Sequence, residues 1–354
     1  MVSLFAFIFI IGVLVFIHEL GHYMAARSVG VRVEKFYVGF NLFGYGWKKN
    51  INGTEYGIGW FPMGGYVKLA GIIDESMDTT NTGSPDEFRN KPTWAKVWIM
   101  SAGVIMNFIL AIFLNFLLTF SQGIGEVEPR PIIGSIVPDY PAESIGLKED
   151  DIILSINENS IDKWIDMTTI IHKNPNTKIK ISWQRDGILM SDSVRTQMGE
   201  QIVNGLPEKV GLIGIGPQIN MRDASFSESI LAGFERTGSW ISMMIYTLGG
   251  LVTGLVSMDE MAGPVMIAKI AGETANIGFS ALIGLMAFLS VNLGLVNILP
   301  IPGLDGGHII IALIEGLMGK ELSLKVKMGI QQVGILFLLF IFITVMVNDI
   351  SRLF

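Results

Sequence analysis

Two histidines four residues apart stand in the run His18-Glu19-Leu20-Gly21-His22. On a helix, positions i and i+4 share a face, so both imidazoles can reach one metal ion. The glutamate between them can address a water without being a ligand. The run closes an apolar stretch, and ionisable groups in a membrane helix are costly, by roughly 2.5–3.5 kcal/mol for one central charge, unless they face a polar cavity or a ligand. A tetrahedral catalytic zinc wants a third protein ligand and leaves one position for water. The chain has no cysteine, so that ligand is a histidine or a carboxylate. The second informative run is Asn297-Ile-Leu-Pro-Ile-Pro-Gly-Leu-Asp-Gly-Gly-His308. Pro300 and Pro302 break a helix there, and Gly303, Gly306 and Gly307 permit a tight turn. Irregular backbone at membrane depth is tolerated only where it lines a cavity or is buried in protein. Asp305 is therefore the candidate third ligand. His308 is its rival, expected instead to support the site through a hydrogen bond.

The elements that must position these residues are mostly oily. Of 354 residues half are hydrophobic and 16% charged, which is more apolar than a soluble domain. Residues 4–26, 98–120, 279–299 and 329–347 approach or exceed the ~20 residues a helix needs to cross the hydrocarbon core. The first lacks the basic start and small-residue cleavage site of a signal peptide. Residues 31–71 are rich in Gly, aromatic and β-branched types, and Glu55 to Trp60 alternate, which predicts strands and tight turns. Residues 74–92 are polar and turn-rich, and a second spanning helix is expected from Thr93, with Trp94 and Trp98 at the interface. Residues 125–198 have the composition of a soluble α/β module. Residues 199–277 are expected to be a linker with an amphipathic helix at 238–257, lying in the interface rather than spanning. Residues 278–354 hold the last two spans, joined by a short loop with Lys320, Lys325 and Lys327, whose charge predicts the cytoplasmic side. The expected architecture is a polytopic α-helical membrane protein of about four spans, with a membrane-associated β-sheet region and one extracytoplasmic α/β domain.

Taken together, these runs make the chain similar to the site-2 protease family of intramembrane zinc metalloproteases, and within it to the bacterial regulator-of-sigma-E protease group. The resemblance rests on His18 to His22, Gly64-Gly-Tyr-Val-Lys68, Asn107-Phe108, a single PDZ-like module, Ser290-Val-Asn-Leu-Gly294 and the Asn297 to Gly307 block. It implies that His18, His22 and Asp305 bind Zn2+ and that Glu19 is the general base. It also implies that Asn292, Asn297, Pro300 and Pro302 help hold substrate, with Gly64 and Gly65 in a membrane-associated sheet offering it an edge strand. Two departures stand out. Val104 follows Gly103 where relatives have Pro, and the module is single where several relatives have two. Within the module, Asp150 stands where PDZ domains usually place Gly.

The implied reaction is hydrolysis of a peptide bond inside a transmembrane segment, which must unwind to expose its carbonyls. Expected partners are membrane lipid and single-span membrane proteins, such as anti-sigma factors or signal-peptide remnants, at the inner membrane. The net charge of −7 argues against nucleic acid. A non-catalytic membrane adaptor using the PDZ-like module is the alternative, and a metal transporter fits less well because no second polar pathway is visible in the spans.

Overall fold

The computed structural model describes residues 2–41, 45–72, 83–203, 206–257 and 261–352. Two compact units emerge, one of residues 1–121 with 225–354 and one of residues 122–224.

The first unit opens with α1 (Val2–Ser28). Four strands follow, β1 (Val33–Phe40), β2 (Gly46–Ile51), β3 (Thr54–Gly59) and β4 (Phe61–Leu69), in one sheet of order β2-β3-β1-β4. β1 runs parallel to β3 and antiparallel to β4, so β4 is an edge strand. Of the polar loop expected at 74–92, residues 74–82 lie outside the described residues; the remainder holds one 3-10 turn, Phe88–Asn90. Helix α2 (Thr93–Gln122) continues without a break through Gly103 and a buried Val104.

The second unit contains β5 (Ile124–Val127), β6 (Ile133–Ile136), α3 (Pro141–Ser144), β7 (Ile152–Ile156), β8 (Asn159–Ser160), α4 (Trp164–His172), β9 (Lys178–Arg185) and β10 (Ile188–Arg195). Alternation along β9 turns Ile179, Ile181 and Trp183 inward against Ile133, Ile153, Ile156 and Met167. The unit does not close at residue 198. It continues through β11 (Gln197–Val203), β12 (Leu206–Leu212), β13 (Ile215–Pro217) and β14 (Ile219–Arg222). β13 pairs with β6 and β14 with β5. The stretch 199–224 is therefore no linker: its strands satisfy backbone groups that β5 and β6 would otherwise leave open.

The chain re-enters the first unit at α5 (Phe226–Thr253), started by a capping box of Ser225 and Glu228 and stopped by left-handed Gly254. Then come α6 (Pro264–Ile277), α7 (Phe279–Ile298), α8 (Asp305–Met318) and α9 (Leu324–Ser351). Helices α1, α2, α7 and α9 are long and apolar enough to cross a membrane. Large apolar side chains on them point outward, among them Phe5, Ile109, Phe113, Leu336 and Phe340. α5 falls outside that set; its Trp240, Ile241 and Met244 pack on a cluster of Ala111, Val291 and Leu295. Two expectations are corrected here. Part of the supposed linker is the helix α6, and the last two spans are joined by α8 rather than by a short loop alone.

Candidate active site

Helix α1 turns His18 and His22 inward, both buried, against α2. The approach is close because the two helices meet at glycines. A Cβ on Gly103 would lie 2.7 Å from His18 Cε1, and one on Gly21 would lie 2.7 Å from the Ala102 carbonyl carbon. Asp305 arrives from the first position of α8, directly after the interrupted backbone at 299–304. Gly306 and Gly307 let that turn fold onto carbonyl groups of residues 298–301.

The result is a triangle. His18 Nε2 and His22 Nε2 are 3.2 Å apart, and Asp305 Oδ2 lies 3.2 Å from the first and 3.4 Å from the second. Ligands at zinc bond lengths of 2.0–2.1 Å in a tetrahedron would be separated by about 3.3 Å. The protonation pattern agrees with a cation at the centre. His22 Nδ1–H donates to the Ile99 carbonyl at 2.8 Å, which leaves a lone pair on its Nε2. Asp305 Oδ2 is buried and accepts no hydrogen bond. A carboxylate oxygen facing imidazole lone pairs in a buried pocket is repulsive unless positive charge lies between them. These three residues can hold one metal ion.

Asn107 Nδ2 stands 3.1 Å from His18 Nδ1, while its Oδ1 is buried without a partner. Half a turn of the amide gives Oδ1 the Nδ1–H of His18 and frees Nε2 for the metal. The Asn297 amide nitrogen lies 3.3 Å from His18 Nε2, beside the triangle.

The triangle opens on a cavity of about 620 Å³ lined by His18, Glu19, His22, Gly64, Gly65, Asn297, Asp305 and His308. Its wall is the edge strand β4, from Gly64 to Leu69. Gly65 lies against Glu19: a Cβ there would sit 3.6 Å from Glu19 Cγ. Val67 of the same strand lines the cavity together with Glu19. Glu19, the metal-ligand set, an amide and a strand edge therefore share one space. Asn292, Pro300 and Pro302 do not line it. Asn292 donates to Phe288 of its own helix, and Pro302 packs its carbonyl against Gly334 of α9. Sequence reasoning singled out neither Gly103 as the residue that makes room for both imidazoles nor Asn107 as the partner of His18. Their shared face was the available signal, since both fall on the side of α2 that holds Ile99.

The sequence model of peptidase family M50 matches residues 6–341. A Clostridium acetobutylicum protein named among zinc metalloproteases is 34% identical, over 96% of this chain and 94% of its own length. The zinc metalloprotease RasP of Bacillus licheniformis is 30% identical, over 99% of each chain. Among solved structures, the PDZ domain of an SdrC-like protein from Listeria monocytogenes is matched at 20% identity, covering 27% of this chain and 93% of that one, with a TM-score of 0.20.

Proposed function

The chain belongs to peptidase family M50, the site-2 protease family, and on that premise we propose that it is a zinc endopeptidase that cuts within transmembrane segments of single-span membrane proteins. The observation that carries this reading is the triangle of His18, His22 and Asp305, opening on a cavity that also holds Glu19 and the edge of β4.

His18, His22 and Asp305 would hold the zinc. When bound, zinc supplies Lewis-acid polarisation of the scissile carbonyl and a water acidic enough to ionise near neutral pH. Glu19 takes the proton of the attacking water and returns it to the departing amine. A substrate helix unwinds at the cavity, and its freed backbone groups pair with β4 beside Gly64 and Gly65. The Asn297 amide sits where it can hold a substrate carbonyl. Asn292, Pro300 and Pro302 act less directly, by shaping the helix end and turn that carry Asn297 and Asp305.

In this reading the protein lies in the inner membrane, and the positive charge of Lys320, Lys325 and Lys327 supports a cytoplasmic position for that end. The PDZ-like module follows the far end of α2 and lies on the extracytoplasmic side. Substrates of the expected class are trimmed anti-sigma factors or signal-peptide remnants. The test compares purified wild type with Glu19→Gln in detergent, reading zinc content and cleavage of a model single-span substrate. One zinc in both and cleavage only by wild type is the expected result. Zinc in wild type without cleavage of any tested span favours a non-catalytic adaptor, and no zinc removes the metal assignment.

A further inference from the structure

A second polar cluster lies buried among α2, α8 and α9, and the reaction as described does not use it. Glu315 of α8 is only 7% exposed. Its carboxylate accepts from Lys327 Nζ at 2.6 Å and from the Leu322 backbone N–H at 2.9 Å, and it faces Lys96 Nζ at 3.6 Å. Lys96 is as buried as Glu315 and sits in the first turn of α2. Burial opposes ionisation of Glu315, but the Lys327 hydrogen bond, the Leu322 N–H and the two lysine charges outweigh it and hold the carboxyl below its usual range.

Two buried ions, Lys96 and Glu315, with the partly buried Lys327 beside them, are an expensive way to join helices, several kcal/mol of desolvation per buried ion, and apolar residues would commonly serve stability as well. What an ionic contact adds is direction. The relevant direction is set by α2. Lys96, Ile99, Gly103 and Asn107 follow one another at spacings of three and four, so they share a face. Ile99 holds His22, Gly103 admits both imidazoles and Asn107 meets His18. Lys96 is the fourth member of that face, and its partner is on α8, the helix whose first residue is Asp305. The start of α8 has no side-chain cap to fix it, since Leu304 occupies the cap position.

We propose that Lys96 and Glu315 are positioning residues: their contact sets α8 against the face of α2 that fixes the histidines, and so sets the distance of Asp305 from both imidazoles. This rests on the reading of His18, His22 and Asp305 as metal ligands. Lys327 neutralises Glu315 and ties the start of α9 to the same point.

Lys96→Met is the informative variant, because it removes the tie to α2 and leaves Glu315 paired with Lys327. Full-length protein in detergent is loaded with Co2+ in place of zinc. The visible Co2+ spectrum, zinc affinity by chelator competition and the thermal midpoint are measured for wild type, Lys96→Met and Lys96→Arg. The expected result is about a tenfold loss of zinc affinity in Lys96→Met, the low end for residues supporting a metal site. A changed Co2+ spectrum should accompany it, and Lys96→Arg should restore both. An unchanged spectrum and affinity in folded Lys96→Met, even with a lowered midpoint, would overturn the proposal by showing a purely structural contact. If wild type itself binds neither metal, the ligand assignment fails and takes this proposal with it.

Discussion

Compare what each unit buries. In the α/β unit the core is apolar, with Ile153, Ile156, Met167, Ile179, Ile181 and Trp183 almost wholly covered, and the buried carboxylate Asp151 is matched by Arg185 at 2.7 Å. In the helical unit many of the largest apolar side chains face outward, while His18, His22, Lys96, Asn107, Ser290, Glu315 and Asp349 are buried between helices. Water drives the first arrangement, since apolar area leaves it on folding. It cannot drive the second, because lipid is as apolar as leucine and helices gain little by covering one another. Close glycine contacts and polar ties must then fix the geometry. Substitutions that remove volume should matter most in the α/β unit, and substitutions that add it most between the helices.

The sharpest break of that contrast is Gly103→Val. The added side chain would need the space of both imidazoles, so zinc affinity should fall by about a hundredfold or more, read by chelator competition on protein that still elutes as a single species. Retained affinity would mean that α1 can move aside, and close packing would lose its role. The counterpart is Ile153→Ala in the α/β unit. It should cost about 2–5 kcal/mol, seen as faster hydrogen exchange across β7 and β9, with zinc affinity unchanged.

A smaller effect tests the polar ties away from the metal. Asp349, buried near the end of α9, accepts the backbone N–H groups of Gly263, Val265 and Met266, each at 2.9 Å. It caps α6 from another helix. Asp349→Ala should cost about 1–2 kcal/mol, as the loss of a strong N-cap does, and raise exchange at 263–266. If exchange there is unmoved, apolar packing of α6 on α1 carries the contact instead.

How much of this was legible followed from whether the cause was local. The spacing of His18 and His22, the proline and glycine run before Asp305 and the long apolar stretches are properties of short windows, and each could be read directly. The start of α8 was not, because Leu304 offers no capping side chain to mark it. The end of the α/β unit was missed because β13 and β14 are three and four residues long and find partners far back in the chain. The Lys96–Glu315 tie is likewise a tertiary pairing with no sequence window. The capping box at Ser225 and Glu228 was readable and would have placed the start of α5.

Asp150 tests the contrast at its fine end, within the α/β unit. The resemblance put Gly at this position, and the backbone there is left-handed, with φ of 67°. Asp is one of the few residues that tolerate this region. Its N–H donates to the Ile133 carbonyl at 2.8 Å, and its carboxylate accepts from Gln218 Nε2 at 3.2 Å. Asp150→Gly removes the left-handed cost but gives the unfolded chain more freedom and loses an exposed hydrogen bond, so a net gain of only about 0.5 kcal/mol is expected. Asp150→Val should lose about 1–2 kcal/mol at the same site. Both are read by thermal unfolding of the full-length protein. A Gly variant less stable than wild type would shift the explanation from backbone strain to Gln218. That residue precedes β14, so the side-chain bond would then be what holds the returning strand of the unit in place.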